Sequence, residues 1–170
     1  DEILDSLLSL RRADGGFSVT GTTSAVDDTA MALQAMAPYY GIREDVTTAI
    51  EEALTLLSEK QTENGGFLSY GTENPESIAQ VMMALCALGI DPLTDARFIK
   101  NENTMMDAIL RFRGDGSFSH ILGENANVNA TMQVFFAMKT LEKGDSPYLL
   151  TNIDSLTHLE TAPKAEAPDA

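Results

Sequence analysis

The residues with the clearest chemical potential are two adjacent aspartates, Asp27 and Asp28, in the segment Val26-Asp27-Asp28-Thr29-Ala30. Two neighbouring carboxylates can hold one proton between them, because ionising both places like charges side by side. Such a pair could act as a general acid. The simpler interpretation places both aspartates in the first turn of a helix, where the positive end of the helix dipole favours acidic side chains.

Polar residues occupy matching positions in two later segments of the chain. Glu76 corresponds to Asp27 and is followed by Gln80, while Asn129 is followed by Gln133 at the same spacing. We predict that these side chains meet at one end of a helical layer and bind a ligand there; the predicted set is Asp27, Asp28, Glu76, Gln80, Asn129 and Gln133. Helix capping is the alternative explanation for polar residues at these positions. Capping explains Gln80 and Gln133 less readily, since each lies about a turn inside an apolar segment.

The matching positions follow from an internal repeat, which is marked by three glycine-rich turns that each end in phenylalanine. The turns are Asp14-Gly15-Gly16-Phe17, Asn64-Gly65-Gly66-Phe67 and Asp115-Gly116-Ser117-Phe118. Phe17 and Phe67 are 50 residues apart, and Phe67 and Phe118 are 51 apart. A fixed period of this length indicates a repeat architecture in which each unit is one supersecondary element.

Each turn lies between two helical segments of different character. The segments before the turns are amphipathic and predict outer helices at 3–12, 46–60 and 105–113. The segments after the turns are apolar on nearly all sides and predict inner, buried helices at 29–36, 78–85 and 131–138. No segment alternates with a period of two, so essentially no β-sheet is expected.

The sequence therefore predicts an all-α fold, an α/α toroid-like arc of three two-helix repeats with six main helices. The repeat domain spans 1–145, with repeats at approximately 1–42, 43–92 and 93–145. A short extension is expected at 146–160. The low-complexity segment 161–170 is typical of a linker and suggests that another module follows in the parent protein.

The segment Gln61-Thr62-Glu63-Asn64-Gly65-Gly66-Phe67 resembles the glutamine–aromatic motif of terpene cyclase repeats. In the other two copies Arg11 and Phe112 replace the glutamine. The segments 28–35 and 88–92 are similar to prenyltransferase/squalene-oxidase-type repeats of secreted or surface-anchored bacterial proteins. The expected fold also resembles the first domain of vitamin B12 carrier proteins. The resemblance implies an α/α toroid, which usually has five to seven hairpins, so that three repeats form an incomplete one. It also implies that the glutamine caps an outer helix and that the aromatic packs on the next repeat.

The resemblance raises two enzymatic alternatives. Class II terpene cyclases carry D-x-D-D-T-A with a central aspartate as general acid, which would be Asp27, but Ala25 replaces the first aspartate. Protein prenyltransferases bind zinc through an aspartate two residues before a cysteine; here Ala84 precedes Cys86, and only His120 and His158 could complete the set. We therefore predict no metal site, no cofactor and no catalytic residues, and keep a divergent cyclase or prenyltransferase-like fragment using Asp27 and Asp28 as the alternative.

The charge of the chain narrows the function further. It carries 26 acidic and 11 basic residues, a net charge of −15, which argues against binding nucleic acid or inserting into an anionic membrane. We predict a non-catalytic binding or structural module of a secreted or cell-surface bacterial protein. Its partner would be a ligand, or another domain of the same parent protein, held on the concave face of the inner helices. Because an incomplete arc exposes apolar helix flanks at its ends, self-association through these ends is also expected.

Overall fold

A computed structural model describes residues 2–144 of the protein, and its secondary structure is mainly helical. The α-helices are α1 (Glu2–Ser9), α2 (Val26–Met36), α3 (Glu44–Lys60), α4 (Pro75–Ala87), α5 (Met105–Leu110) and α6 (Val128–Lys143). Short 3-10 helices lie at Ala37–Tyr39 and Ala96–Phe98. The predicted all-α fold is thus confirmed. The predicted extension and tail at 146–160 and 161–170 lie outside the described residues.

The expectation of essentially no sheet needs one correction. A two-stranded antiparallel hairpin forms from β1 (Leu68–Ser69) and β2 (Thr72–Glu73). Tyr70 and Gly71 connect the strands, and both have positive φ values, of 48° and 82°. Two consecutive residues with positive φ make the tight turn that suits a hairpin. Strands of two residues are too short to leave an alternating pattern in the sequence.

Local capping fixes the starts of the inner helices. The Asn74 side chain accepts a hydrogen bond from the backbone of Ser77, with Pro75 at the first helical position. The Asn127 side chain accepts in the same way from the backbone of Ala130. Asparagine is among the preferred N-cap residues because its side-chain oxygen satisfies a free amide of the first turn. Ala25, at the corresponding position before α2, provides no such cap.

The three inner helices lie in a row. Helix α4 packs against α2 on one side and α6 on the other, while α2 also contacts α3 and α4 contacts α5. The middle helix α4 is consequently buried along most of its length. This arrangement is the predicted layering of outer and inner helices, and its toroid-like curvature stays a prediction.

The glycine turns join the layers. Phe17, Phe67 and Phe118 are all buried in the core. Gln61 occupies the C-cap position of the outer helix α3, the helix end at which the glutamine was expected. Its side chain reaches beyond that helix, because Nε2 donates to the carbonyls of Gly65, at 3.0 Å, and Phe98, at 2.9 Å. Gln61 therefore ties the glycine turn of the second repeat to the beginning of the third.

Candidate functional site

The two aspartates of the predicted site lie in the first turn of α2 and hold two different loops. The carboxylate of Asp28 accepts a hydrogen bond from the backbone of Val19 at 2.9 Å. One carboxylate oxygen of Asp27 accepts from the Ser69 hydroxyl at 3.3 Å. The other oxygen of Asp27 is buried and has no hydrogen-bond partner among the described residues. Asp28 thus fastens a loop of its own repeat, and Asp27 reaches into the next.

Glu76 repeats the contact of Asp27 one unit later in the chain. Its Oε1 lies 2.9 Å from Nδ1 of His120, and its Oε2 is buried without a partner in the described part of the chain. Ser69 follows Phe67 by two residues, as His120 follows Phe118. The second residue of an inner helix therefore contacts the same position of the following repeat in both cases. The contact links successive repeats.

Asn129 occupies the corresponding position on α6, but the structure does not give it a corresponding contact. Its side chain is exposed and makes no hydrogen bond within residues 2–144. The described chain contains no fourth glycine turn that could supply a partner. The expectation that Asn129 joins the other polar residues is not met by any contact in the structure.

A ladder of three glutamines crosses the inner helices. Nε2 of Gln34 donates to Oε1 of Gln80 at 3.0 Å, and Nε2 of Gln80 donates to Oε1 of Gln133 at 3.0 Å. In the alignment of the repeats, the residue of α2 that matches Gln80 and Gln133 is Met31, not Gln34. Gln34 lies three residues after Met31 and hence on the same side of the helix. That spacing was the signal that could have identified it.

A cleft of about 520 Å³ lies between the first and second repeats, next to the predicted residues. It lies beside the beginning of α2, the end of α3 and the β1–β2 hairpin. Its polar lining includes Thr20, Thr23, Ser24, Lys60, Ser69 and Tyr70. Ser69, the hydrogen-bond partner of Asp27, connects the cleft to the predicted site. The cleft was not predicted from the sequence because one of its walls is the β1–β2 hairpin, which was not expected.

Two charged residues of opposite sign, Asp14 and Lys60, lie beside the cleft. Partial burial of Asp14 favours its protonated form and by itself raises its pKa. Hydrogen bonds from the hydroxyl and backbone of Ser24 and from the backbone of Gly16 outweigh this effect and hold the pKa of Asp14 below its usual range. The Ser24 hydroxyl lies 2.7 Å from the Asp14 carboxylate. The nearby charge of Lys60 acts in the same direction. Asp14 is therefore ionised at neutral pH and offsets part of the positive charge that Lys60 brings to the cleft.

The other groups considered from the sequence are Cys86, His120 and His158. Burial, with a contribution from the charge of Asp91, raises the pKa of the Cys86 thiol to about 11, so the thiol is protonated and weakly nucleophilic at neutral pH. His120 pairs with Glu76, while His158 lies outside the described residues. In the segment from 2 to 144, no three His, Cys, Asp or Glu side chains are grouped to hold a metal ion.

Compared with known proteins, the chain matches no family model and no curated protein sequence. None of the helices described has both the length and the apolar character needed to cross a membrane.

Proposed function

We propose that the protein is a non-catalytic binding module that takes a neutral, hydroxyl-rich ligand, such as an oligosaccharide, in the cleft between its first two repeats. A volume of about 520 Å³ is within the usual range for small-ligand sites. The observation that carries the proposal is Tyr70, which stands at the rim of this cleft with its side chain fully exposed.

Tyr70 is an unusual residue for its position. Its φ of 48° places it in the left-handed region, which costs a residue other than glycine about 1–2 kcal/mol. Asparagine, aspartate or glycine would form the same turn more easily. Fully exposed, the ring contributes no burial that would offset this cost. A solvent-exposed aromatic ring, held on a strained turn beside a cleft, offers a flat apolar surface on which a ligand ring can stack.

The polar groups of the cleft favour a neutral ligand. Thr20 and Thr23 are exposed and bring hydroxyl groups that can donate and accept hydrogen bonds. Lys60 supplies a positive charge, but the ionised Asp14 lies close enough to interact with it. The net charge of −15 further disfavours anionic ligands. Hydroxyl donors, hydroxyl acceptors and one exposed ring together fit a sugar better than a phosphate or an acidic peptide.

The wider parts of the proposal come from the sequence. Resemblance to prenyltransferase/squalene-oxidase-type repeats supports a location outside a bacterial cell, where glycans are abundant ligands. The same resemblance supports a parent protein with further domains.

The alternative function, a divergent cyclase or prenyltransferase-like enzyme, is favoured by one observation, the buried and unpartnered oxygen of Asp27. A catalytic acid needs an orienting partner, and Ala25 provides no carboxylate for that purpose. Incubation with squalene and with farnesyl diphosphate, followed by mass spectrometry of the products, separates the two functions. The binding proposal expects no product from the wild type. Turnover that Asp27→Asn abolishes would establish the enzyme instead.

The binding site itself is tested by NMR titration of the ¹⁵N-labelled protein with a panel of neutral oligosaccharides. The proposal expects chemical-shift changes at 18–26 and 69–71 for at least one member of the panel. Tyr39→Ala removes a partly exposed tyrosine outside the cleft. This variant is the control and should give the same titration as the wild type. Shift changes that map to another surface, or no binding by any oligosaccharide, would overturn the proposal.

A further inference from the structure

Helix α6 exposes a row of large apolar side chains on one side. Val128, Met132, Phe135 and Phe136 are each more than half exposed, from 52% to 75%. Their spacing of four, three and one residues places them on one face of the helix. Single exposed apolar residues are common on protein surfaces, but a contiguous apolar patch marks an interaction site.

The repeat shows what this face packs against elsewhere in the molecule. When the N-caps Ala25, Asn74 and Asn127 are aligned, each exposed residue of α6 has an equivalent on α4. These equivalents are Pro75, Ala79, Met82 and Met83. All four are buried on α4, and so are their equivalents on α2, which are Val26, Ala30, Leu33 and Gln34. The face is thus buried on the two inner helices that a further repeat follows. The exposed face of α6 is therefore the face by which an inner helix receives the next repeat.

Contacts between α2 and α4 confirm which way this face points. Gln34 of α2 is the equivalent of Phe136, and its amide hydrogen-bonds Gln80 of α4. Asp27, the equivalent of Asn129, reaches Ser69 of the following repeat. Phe136 and Asn129 of α6 therefore occupy the positions from which Gln34 and Asp27 of α2 contact the following repeat. Within the described residues neither position has such a contact.

The opposite end of the row, on α2, carries the complementary face. Met31 is 56% exposed, and Ala35 is exposed beside it. Both line a shallow apolar cleft of about 230 Å³ together with Leu10 and Val19 of the first repeat. Their equivalents on α6 are Gln133, which accepts a hydrogen bond from Gln80 of the preceding repeat, and Ala137, which is buried. This face of α2 is the one by which an inner helix receives the preceding repeat.

We propose that a second copy of this chain is the partner of these faces, with α6 of one copy packing on α2 of the next. The contact continues the α2–α4–α6 row, so it reuses an interface that the molecule already forms twice internally. Because two different surfaces meet, the contact is heterologous, and repetition closes a ring or extends a filament. The charge of −15 on each copy repels the other copy. Because salt screens this repulsion, association should be stronger at high salt.

The test uses two variants that each block one face, with a third as a charge-matched control. Phe136→Glu blocks α6, Met31→Glu blocks α2, and Ile42→Glu adds the same charge at a position that is 79% exposed and on neither face. Masses are measured by light scattering and sedimentation at about 0.5 M NaCl, where the Debye length falls to a few ångströms. Circular dichroism melts establish that all three variants are folded.

The wild type and Ile42→Glu are expected to self-associate. For each blocked variant the apparent Kd of self-association should be at least about 10-fold higher. An equimolar mixture of Phe136→Glu and Met31→Glu should form a dimer and nothing larger, since one intact α6 face meets one intact α2 face. A wild type that stays monomeric up to about 1 mM would overturn the proposal. So would self-association of Met31→Glu alone, because it would mean that α6 packs against α6.

Discussion

Gly65 in the second glycine turn offers a sharp test of how the repeats fit together. It has a positive φ of 80°, and a Cβ added to it would lie 2.5 Å from the carbonyl oxygen of Thr104 and 3.0 Å from the carbonyl carbon. Thr104 is the N-cap of α5, and its carbonyl accepts the first hydrogen bond of that helix. Gly65→Ala therefore pushes the second repeat against the start of an outer helix in the third.

The expected loss has two parts. A residue other than glycine in the left-handed region costs about 1–2 kcal/mol. Forcing a methyl group against packed backbone adds about 1–3 kcal/mol, because backbone cannot rotate away as a flexible side chain can. We expect Gly65→Ala to lower the free energy of unfolding by about 2–5 kcal/mol, the sum of the two.

Gly116, at the same position of the third turn, provides the matched control. Its φ is 70°, and an added Cβ would meet no atom within 4 Å. Gly116→Ala carries the conformational cost alone, about 1–2 kcal/mol. The difference between the two variants isolates the contact between the second and third repeats.

Urea denaturation followed by circular dichroism measures both variants, and an unchanged m-value establishes that two-state unfolding is preserved. Gly65→Ala should be less stable than Gly116→Ala by about 1–3 kcal/mol. Equal losses in the two variants would refute the close approach of the glycine turn to α5.

Three further changes test other contacts. Gln61→Ala leaves the buried carbonyls of Gly65 and Phe98 without their donor. It should lower the free energy of unfolding by about 1–3 kcal/mol in the same urea assay, and an unchanged stability would contradict the role of Gln61 in linking the second and third repeats. Gln80→Met breaks both steps of the glutamine ladder and leaves Nε2 of Gln34 with only the long 3.4 Å contact to the backbone carbonyl of residue 80. A similar loss of about 1–3 kcal/mol is therefore expected, and stability equal to wild type would show that the ladder is dispensable. Hydrogen bonds from the hydroxyl and backbone of Thr104 hold the pKa of Asp107 below its usual range. Their contribution is present above the ordinary aspartate pKa and is lost as the pH falls through the lowered folded-state pKa. Asp107→Asn should therefore lower the Tm at pH 6 more than at pH 3, and an equal effect at both would contradict this capping role.

Much of the fold could be predicted because its signals are local and recur. The glycine turns fixed the period, and the change from amphipathic to fully apolar segments separated outer from inner helices. The outer helices α1 and α5 are shorter than predicted, ending at Ser9 and Leu110. In both repeats the residues just beyond the helix pair with the turn phenylalanine, through bridges Arg11–Phe17 and Arg113–Phe118. That pairing draws the chain out of the helix, and helical periodicity alone cannot reveal it.

The candidate site was predicted only in part, since its geometry depends on contacts between repeats. Alignment placed Asp27 and Glu76 at equivalent positions, and the structure gives them equivalent partners in the next repeat. The partners themselves, Ser69 and His120, belong to loops that carry no helical pattern. Tyr70 was missed because tyrosine is not a residue that signals a tight turn.

Calorimetry on Tyr70→Asn tests the proposed function most directly. Asparagine tolerates the left-handed turn better than tyrosine, so the Tm should stay equal or rise slightly, while the stacking ring is lost. For the oligosaccharide that binds best in the NMR titration, the account predicts affinity at least about 10-fold weaker than wild type. Unchanged affinity in the folded variant would contradict the claim that the cleft beside Tyr70 is the binding site.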